Sequence, residues 1–271
     1  MSAHIPIKLK KKNLGWVNKC NVKLFESSDL KKGFISFKEL KKFLRNKNRL
    51  SQILSEFNIK KYEYCPIFEY ESLNPKTKFN HKLRFGNQKL VDIERRFLPI
   101  FGLPAYGVHC NAWSKFKNST IIHFAIRSKR IRKFPGFSDN LVAGGQPSKI
   151  SIKKNLEKEA YEEAGLKPNI VKLAQQGNVI HYYHNEKKNF SSAIIFVYDL
   201  KLDKNTKFKN IDGEVSDFFS LDIQNIFTIL DSNALKPNCV IPLADFFLRI
   251  AGDYFPKSGI LEIKKILKVD E

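Results

Sequence analysis

Three carboxylates, Glu159, Glu162 and Glu163, stand close together in the stretch AGGQPSKISIKKNLEKEAYEEAGL, residues 143–166. On a helix their i, i+3 and i+4 relation gathers them on one flank. Like charges so placed repel by about 0.2–0.5 kcal/mol per exposed pair, and by more where water is scarce. A hard divalent cation reverses that sign. Oxygen ligands on a rigid helix are what Mg²⁺ takes, with waters and phosphate oxygens completing its octahedron. The plainer alternative is a solvated helix face on which Lys153, Lys154 and Lys158 balance the charge. A fourth carboxylate, Glu214 in DGEV, opens a later strand and is either a further ligand or base, or a solvated turn residue.

The elements that must hold these groups can be read locally. Ser151 is a good N-cap and Gly165 a good C-terminal stop, so a helix is expected over residues 152–164. Ile152, Leu156, Ala160 and Ala164 form its apolar stripe, and the three carboxylates border that stripe. Before it, LVAGG reads as a short strand whose glycines allow close backbone approach. The loop SKRIRKFPGFSDN supplies Lys129, Arg130, Arg132 and Lys133, either as a phosphate clamp or as a solvated loop. Tyr106, Trp113, Phe134 and Phe137 are either ring-stacking residues or core. His109, His181 and His184 share no metal-ligand spacing with a cysteine and read as structural or rim residues.

Further strands are expected in TIIHFAIR, NVIHYYH, SSAIIFVYDL and EVSDFFSL, and helices in DIQNIFTIL and IPLADFFLRIAG. This alternation indicates an α/β or α+β sandwich. Residues 1–100 read as mainly helical. Ser36 and Glu39 form a capping box before Phe37, Leu40, Phe43 and Leu44, and further helices are expected over 50–57 and 90–98. The expected domains are therefore 1–100 and 101–271.

The chain carries 48 Lys and Arg against 27 Asp and Glu, a net charge of +21. Residues 1–100 hold 23 of the basic and 9 of the acidic residues. Most of the basic residues are lysines scattered between apolar positions, with no arginine-rich tract. That pattern reads first as a solvated surface, then as attraction of an anionic small molecule or contact with nucleic acid. Four cysteines lie far apart without a C-x-x-C pair, which speaks against a zinc or redox motif. No apolar run approaches a membrane span or a secretory leader, so a cytoplasmic setting is expected.

The stretch GGQPSKISIKKNLEKEAYEEAGL resembles the Nudix box, G-x5-E-x7-R-E-U-x-E-E-x-G-U with U apolar. Gly144, Glu159, Ala160, Glu162, Glu163, Gly165 and Leu166 match it. Ile150 and Lys158 stand where the box has a Glu and an Arg, which commonly form a charge pair. FGLPAYGVHCNAW, DGEVSDFFSL and KPNC followed by ADFFLRI are similar to one Nudix branch, over roughly residues 87–255. That branch has an N-terminal domain of formerly unknown function and is in some members fused to thiamine diphosphokinase.

The resemblance implies a Nudix α/β/α sandwich with a mixed sheet, preceded by the smaller domain. It implies Mg²⁺ or Mn²⁺ on Glu159, Glu162, Glu163 and Gly144, with Glu162, Glu163 and Glu214 as catalytic residues. Arg130, Arg132, Lys133, Tyr106 and Trp113 are the expected substrate contacts. The expected reaction hydrolyses oxidised thiamine diphosphate to the monophosphate. The alternatives are a nucleoside diphosphate derivative as substrate, or a nucleic-acid-binding protein with reduced catalysis. The expected partner is a small-molecule diphosphate, without membrane or nucleic acid.

Overall fold

Strand pairing begins almost at the N-terminus of the structure, a computed structural model that describes residues 4–25, 33–55, 63–70, 79–80, 85–186, 189–232, 234–250 and 254–267. The chain divides into two units. Unit 1 comprises Met1–Tyr106, Pro147–Lys149 and His181–Ile194, and unit 2 comprises Gly107–Gln146, Ile150–Ile180 and Ile195–Glu271.

Unit 1 corrects the expectation of a mainly helical region. Strands β1 (His4–Leu9) and β2 (Lys12–Asn18) pair antiparallel, and β3 (Ile35–Ser36) adds parallel to β1. The turn between β1 and β2 holds Lys10 at φ 54°, a left-handed conformation usually left to Gly or Asn, so the sequence shows no turn signal there. Helix α1 (Phe37–Arg45) forms as its capping signal predicts, with the Ser36 hydroxyl accepting from the Glu39 N–H. Helix α2 (Lys47–Ser55) follows, and residues 56 and 57 of the expected helix lie outside the described ones.

Strand β4 (Tyr64–Tyr70) pairs with β6 (Phe85–Glu94), and the short β5 (Phe79–Asn80) pairs with residues 181–182. The helix expected over 90–98 is thus mostly strand. Leu90 and Ile93 fit helical spacing, but β-branched Val91 and Ile93 are claimed by cross-strand partners Ile67 and Cys65. Only α3 (Phe97–Phe101) is helical there. Phe25, Phe43, Phe97 and Phe101 form an aromatic cluster with ring centroids 5.4–6.3 Å apart. Such rings bury large apolar areas and account for much of this unit's core.

Unit 2 is built on a mixed sheet with helices, the α/β class expected. Its strands are β7 (Pro104–Phe116), β8 (Ser119–Arg127), β9 (Ser138–Asn140), β10 (Val142–Gly145), β11 (Gln175–Glu186), β12 (Asn189–Lys201) and β13 (Val215–Asp222). Strands β7, β11 and β12 run on from one unit into the other. The sheet order is β13-β8-β7-β12-β11, with β9 on β8 and β10 on β7. The helices are α4 (Ile152–Ala164), α5 (Pro168–Val171), α6 (Ile226–Asp231), α7 (Val240–Arg249) and α8 (Lys257–Leu267). Residues 251–252 of the expected last helix lie outside the described ones.

Alternation along β8 sorts two faces. Ile122 and Phe124 pack with Ile226, Leu243, Phe246 and Phe247 of α6 and α7. His123 points the other way, its ring 5.3 Å from Phe208. The next residue, Lys209, donates its N–H to the Ala164 carbonyl at the end of α4. Helices therefore cover both faces, as in a sandwich.

Candidate active site

Helix α4 has the boundaries its sequence dictates. The Ser151 hydroxyl accepts from the Lys154 N–H, and Gly165 ends the helix at φ 68°. Gly165 and Leu166 donate to the Tyr161 and Ala160 carbonyls, which closes the helix with a double hydrogen bond. The buried face holds Leu156, Ala160 and Ala164 as expected, but also Asn155 and Glu163. Asn155 explains the docking: its amide donates to the Gly145 carbonyl, 3.1 Å, and ties α4 to the end of β10.

Gly144 leaves room for the close approach of Glu159. A Cβ at that position would stand 2.1 Å from the Glu159 carboxyl carbon. On the other side, a Cβ at Gly107 would lie 3.0 Å from the Gly144 oxygen. Glu163 is 5% exposed and accepts from the Ala143 N–H at 2.8 Å. Burial pushes its carboxyl well above the usual range, and the charges of Asp139 and Glu159 add to the shift. Burial also raises Glu159, where Glu162 and Glu214 add further like charge. The structure thus brings all four sequence-selected carboxylates into electrostatic reach.

Lys158 answers part of this charge. Its ammonium lies 3.1 Å from Glu159 Oε1 and 2.5 Å from Glu162 Oε2. Desolvation works against the Lys158 charge, yet the bonds to Glu162 and Glu159 hold its pKa above the ordinary value.

Glu214 is exposed in the bend just before β13. Its carbonyl accepts from the Ser128 N–H, which joins it to the base of the basic loop, and the N–H groups of Ile211 and Asp212 bond the Glu162 carbonyl. The loop itself folds back on Arg127, whose guanidinium donates to the Lys133 carbonyl at 3.2 and 3.3 Å. Lys129, Arg130, Arg132 and Lys133 are exposed on it. Phe134 is also exposed, with its ring 5.5 Å from that of Phe137.

The two remaining aromatic candidates are placed elsewhere. Trp113 stands opposite Ile122 in register and packs against Phe246, on the sheet face that carries α7. Tyr106 belongs to unit 1, buried, with its hydroxyl at the backbone of Phe68.

A second cluster, missed by sequence reasoning, lies behind Glu163. Asp139 Oδ2 accepts from Arg127 Nη1 at 2.7 Å and Lys236 Nζ at 2.6 Å, while Oδ1 accepts from the Asn140 N–H and the Cys239 thiol. His109 Nδ1 bonds Asn140 Oδ1 at 2.8 Å, and Asn140 passes the network on to Asn111, Asp199 and Arg249. Burial would raise Asp139, but Lys236 and its other partners hold it below the usual range. Burial lowers His109 to about 4, so it is neutral near pH 7, and pushes the Cys239 thiol well up.

Donor atoms of His109, Asp139 and Cys239 lie within 4.8 Å of one another and could hold a metal ion. Their spacing along the chain gives no sign of this meeting, and His109 has the structural role read for it, buried and bonded to Asn140. The residues are 130 positions apart in the chain, and only the fold joins them. Two cations on Asp139 and a protonated thiol favour a hydrogen-bonded network over a metal here. His181 is buried in unit 1 beside Tyr183, and burial lowers it to about 3. The His184 side chain lies outside those described.

No family model matches the chain. Nudix hydrolase 20, chloroplastic, of Arabidopsis thaliana is 31% identical over 188 residues, covering 69% of this chain and 50% of that protein. Nudix hydrolase 24, chloroplastic, of the same plant is 31% identical over 189 residues, covering 69% and 52%. The chain spans about half the length of these curated relatives. An Ap4A hydrolase of C. elegans gives a TM-score of 0.39 at 12% identity, over 55% of this chain and 98% of that one. The curated neighbours support membership of the Nudix hydrolase family. Among the described residues, no helix is long and apolar enough to cross a membrane.

Proposed function

We propose that the chain is a divalent-metal-dependent Nudix pyrophosphohydrolase that cleaves oxidised thiamine diphosphate to the monophosphate and phosphate. The observation that carries the metal-dependent hydrolase is the clustering of three carboxylates on one flank of α4, with Glu159 beside Gly144, Glu163 on the Ala143 N–H, and Lys158 bridging Glu159 and Glu162. The thiamine assignment rests on the branch resemblance. The donors fit a hard cation: they are oxygens, they are held on a capped helix, and mutual repulsion contributes to the raised pKa of two of them. Glu159, Glu162, Glu163 and the backbone at Gly144 would hold Mg²⁺ or Mn²⁺. Such an ion supplies charge neutralisation of the diphosphate and activation of water.

The chain's own residues account for the rest. The Ala143 N–H holds one carboxylate oxygen of Glu163. Glu214 is exposed and Glu162 partly so, and either can take the proton of the attacking water. Arg130, Arg132 and Lys133 bind the terminal phosphate, since guanidinium groups match phosphate oxygens in pairs. Water attacks the terminal phosphorus, the anhydride bond breaks, and the monophosphate leaves with the bridging oxygen.

Substrate choice follows from polar matching. The oxy form carries a carbonyl where the cofactor's pyrimidine has an amine, and the oxo form carries a neutral thiazolone in place of the cationic thiazolium. A site that hydrogen-bonds these groups rejects the intact cofactor by far more than shape does. Phe134 and Phe137 stand on the basic loop and are the proposed ring contacts, in place of Tyr106, buried in unit 1, and Trp113, packed against Phe246 on the α7 face. The cytoplasmic setting and the small-molecule partner belong to the same proposal.

The test is phosphate release with Mg²⁺ from intact and oxidised thiamine diphosphates, ADP-ribose, NADH and nucleoside triphosphates. A higher kcat/KM for the oxidised forms is expected. Equal turnover of intact and oxidised cofactor removes the selectivity, and faster cleavage of ADP-ribose or a nucleotide removes the thiamine assignment.

A further inference from the structure

The position of Lys158 has a consequence for the metal, and it rests on the proposed metal site. We infer that Lys158 is an internal competitor: its ammonium occupies the space between Glu159 and Glu162 and must leave it for a divalent cation to take both carboxylates.

The geometry makes the lysine the partner that moves. The Glu159 side chain is 13% exposed and lies beside Gly144, so it is the more buried partner of the pair. Glu163 is held from behind by Ala143. Lys158 is 44% exposed on a flexible four-carbon stem, free to swing outward. It contacts Glu162 one helical turn ahead and Glu159 beside it, so one ammonium spans two of the three carboxylates. Position 150, where the resembled box has a carboxylate, holds Ile150, whose carbonyl accepts from the Gln146 amide. The side chain at 150 therefore gives Lys158 no countercharge, and the lysine turns to the ligand carboxylates instead. The two departures from the box then act together. They lower the affinity for the metal and make occupancy of the site follow its free concentration.

The experiment compares the full chain with Lys158→Met and Lys158→Arg by titrating Mn²⁺ at low ionic strength and following free Mn²⁺ by electron paramagnetic resonance. Lys158→Met should bind Mn²⁺ roughly three- to thirtyfold more tightly, because a competing positive charge leaves the site. Lys158→Arg keeps the charge and should stay within about threefold of the parent. Thermal unfolding gives a second readout: without added metal Lys158→Met should melt below the parent, and in saturating Mn²⁺ at or above it. Equal or weaker Mn²⁺ binding in Lys158→Met overturns the inference alone, as does equal tightening in Lys158→Arg. Failure of every variant and the parent to bind Mn²⁺ overturns the metal site and the inference together.

Discussion

Two clusters of charge lie within unit 2, and they are built on opposite terms. Around Asp139 one buried carboxylate meets Arg127, Lys236, a thiol and a backbone N–H, so every oxygen is answered inside the protein. On α4 three carboxylates meet one half-exposed lysine, and burial raises two of them. A balanced cluster holds a fold together, while an unbalanced one is arranged for a cation that the chain does not supply. Both sit at the β9–β10 end of the sheet, where Asp139 is four residues from Ala143 and adds to the Glu163 shift.

The comparison breaks most visibly if the balanced cluster proves dispensable. Asp139→Ala leaves Arg127 and Lys236 buried without their carboxylate, and the protein should lose about 3–5 kcal/mol of stability. Urea unfolding at pH 7 measures it, and a loss below about 1 kcal/mol would mean that the network does not carry the fold. On the other cluster, Glu163→Gln should act in the reverse sense. It keeps an acceptor for Ala143 and removes a charge that burial disfavours, so the melting temperature should hold or rise, while diphosphate hydrolysis falls at least about a hundredfold.

The balanced cluster should also be the one that acid attacks through histidine. The folded protein keeps His109 neutral down to about pH 4, whereas the unfolded chain protonates near 6.5. Its folded pKa is depressed, so its contribution is full above pH 6.5 and is lost as pH falls toward 4. Compared with His109→Gln, the parent should lose about 2–3 kcal/mol more between pH 7 and pH 4. Denaturant unfolding at both pH values gives the difference, and parallel losses would remove the role of His109. The smallest effect concerns the frame that both clusters share. Gly165→Ala forces a side chain at φ 68° to within 2.8 Å of the Lys209 carbonyl and should cost about 1–2 kcal/mol. A cost near zero in urea unfolding would mean that the end of α4 adapts and does not set the frame.

The same contrast explains what the sequence discloses. The carboxylate helix is legible because its rules are local: Ser151 caps it, Gly165 stops it, and the spacing of Glu159, Glu162 and Glu163 fixes their flank. The Asp139 network is not legible, because His109, Asp139 and Cys239 meet only through the β7–β10 register and the docking of residues 234–239 on β9. Neighbouring DN and NC dipeptides carry no period that would connect them. Unit 1 departs from its sequence pattern for a third reason. Its β1–β2 turn is made by lysines instead of Gly or Asn, and Leu90 to Ile93 satisfies helical spacing until the pairing with β4 decides for strand.

The central claim is that the unbalanced carboxylates of α4 are completed by a divalent cation to cleave a diphosphate. Hydrolysis of oxidised thiamine diphosphate, followed by phosphate release across a Mg²⁺ titration and again after chelation, tests it most directly. Activity should rise from background to a plateau with Mg²⁺ and vanish on chelation, and Glu163→Gln should stay near background at the plateau concentration. Turnover that persists in chelator, or a Glu163→Gln variant that matches the parent, would contradict it.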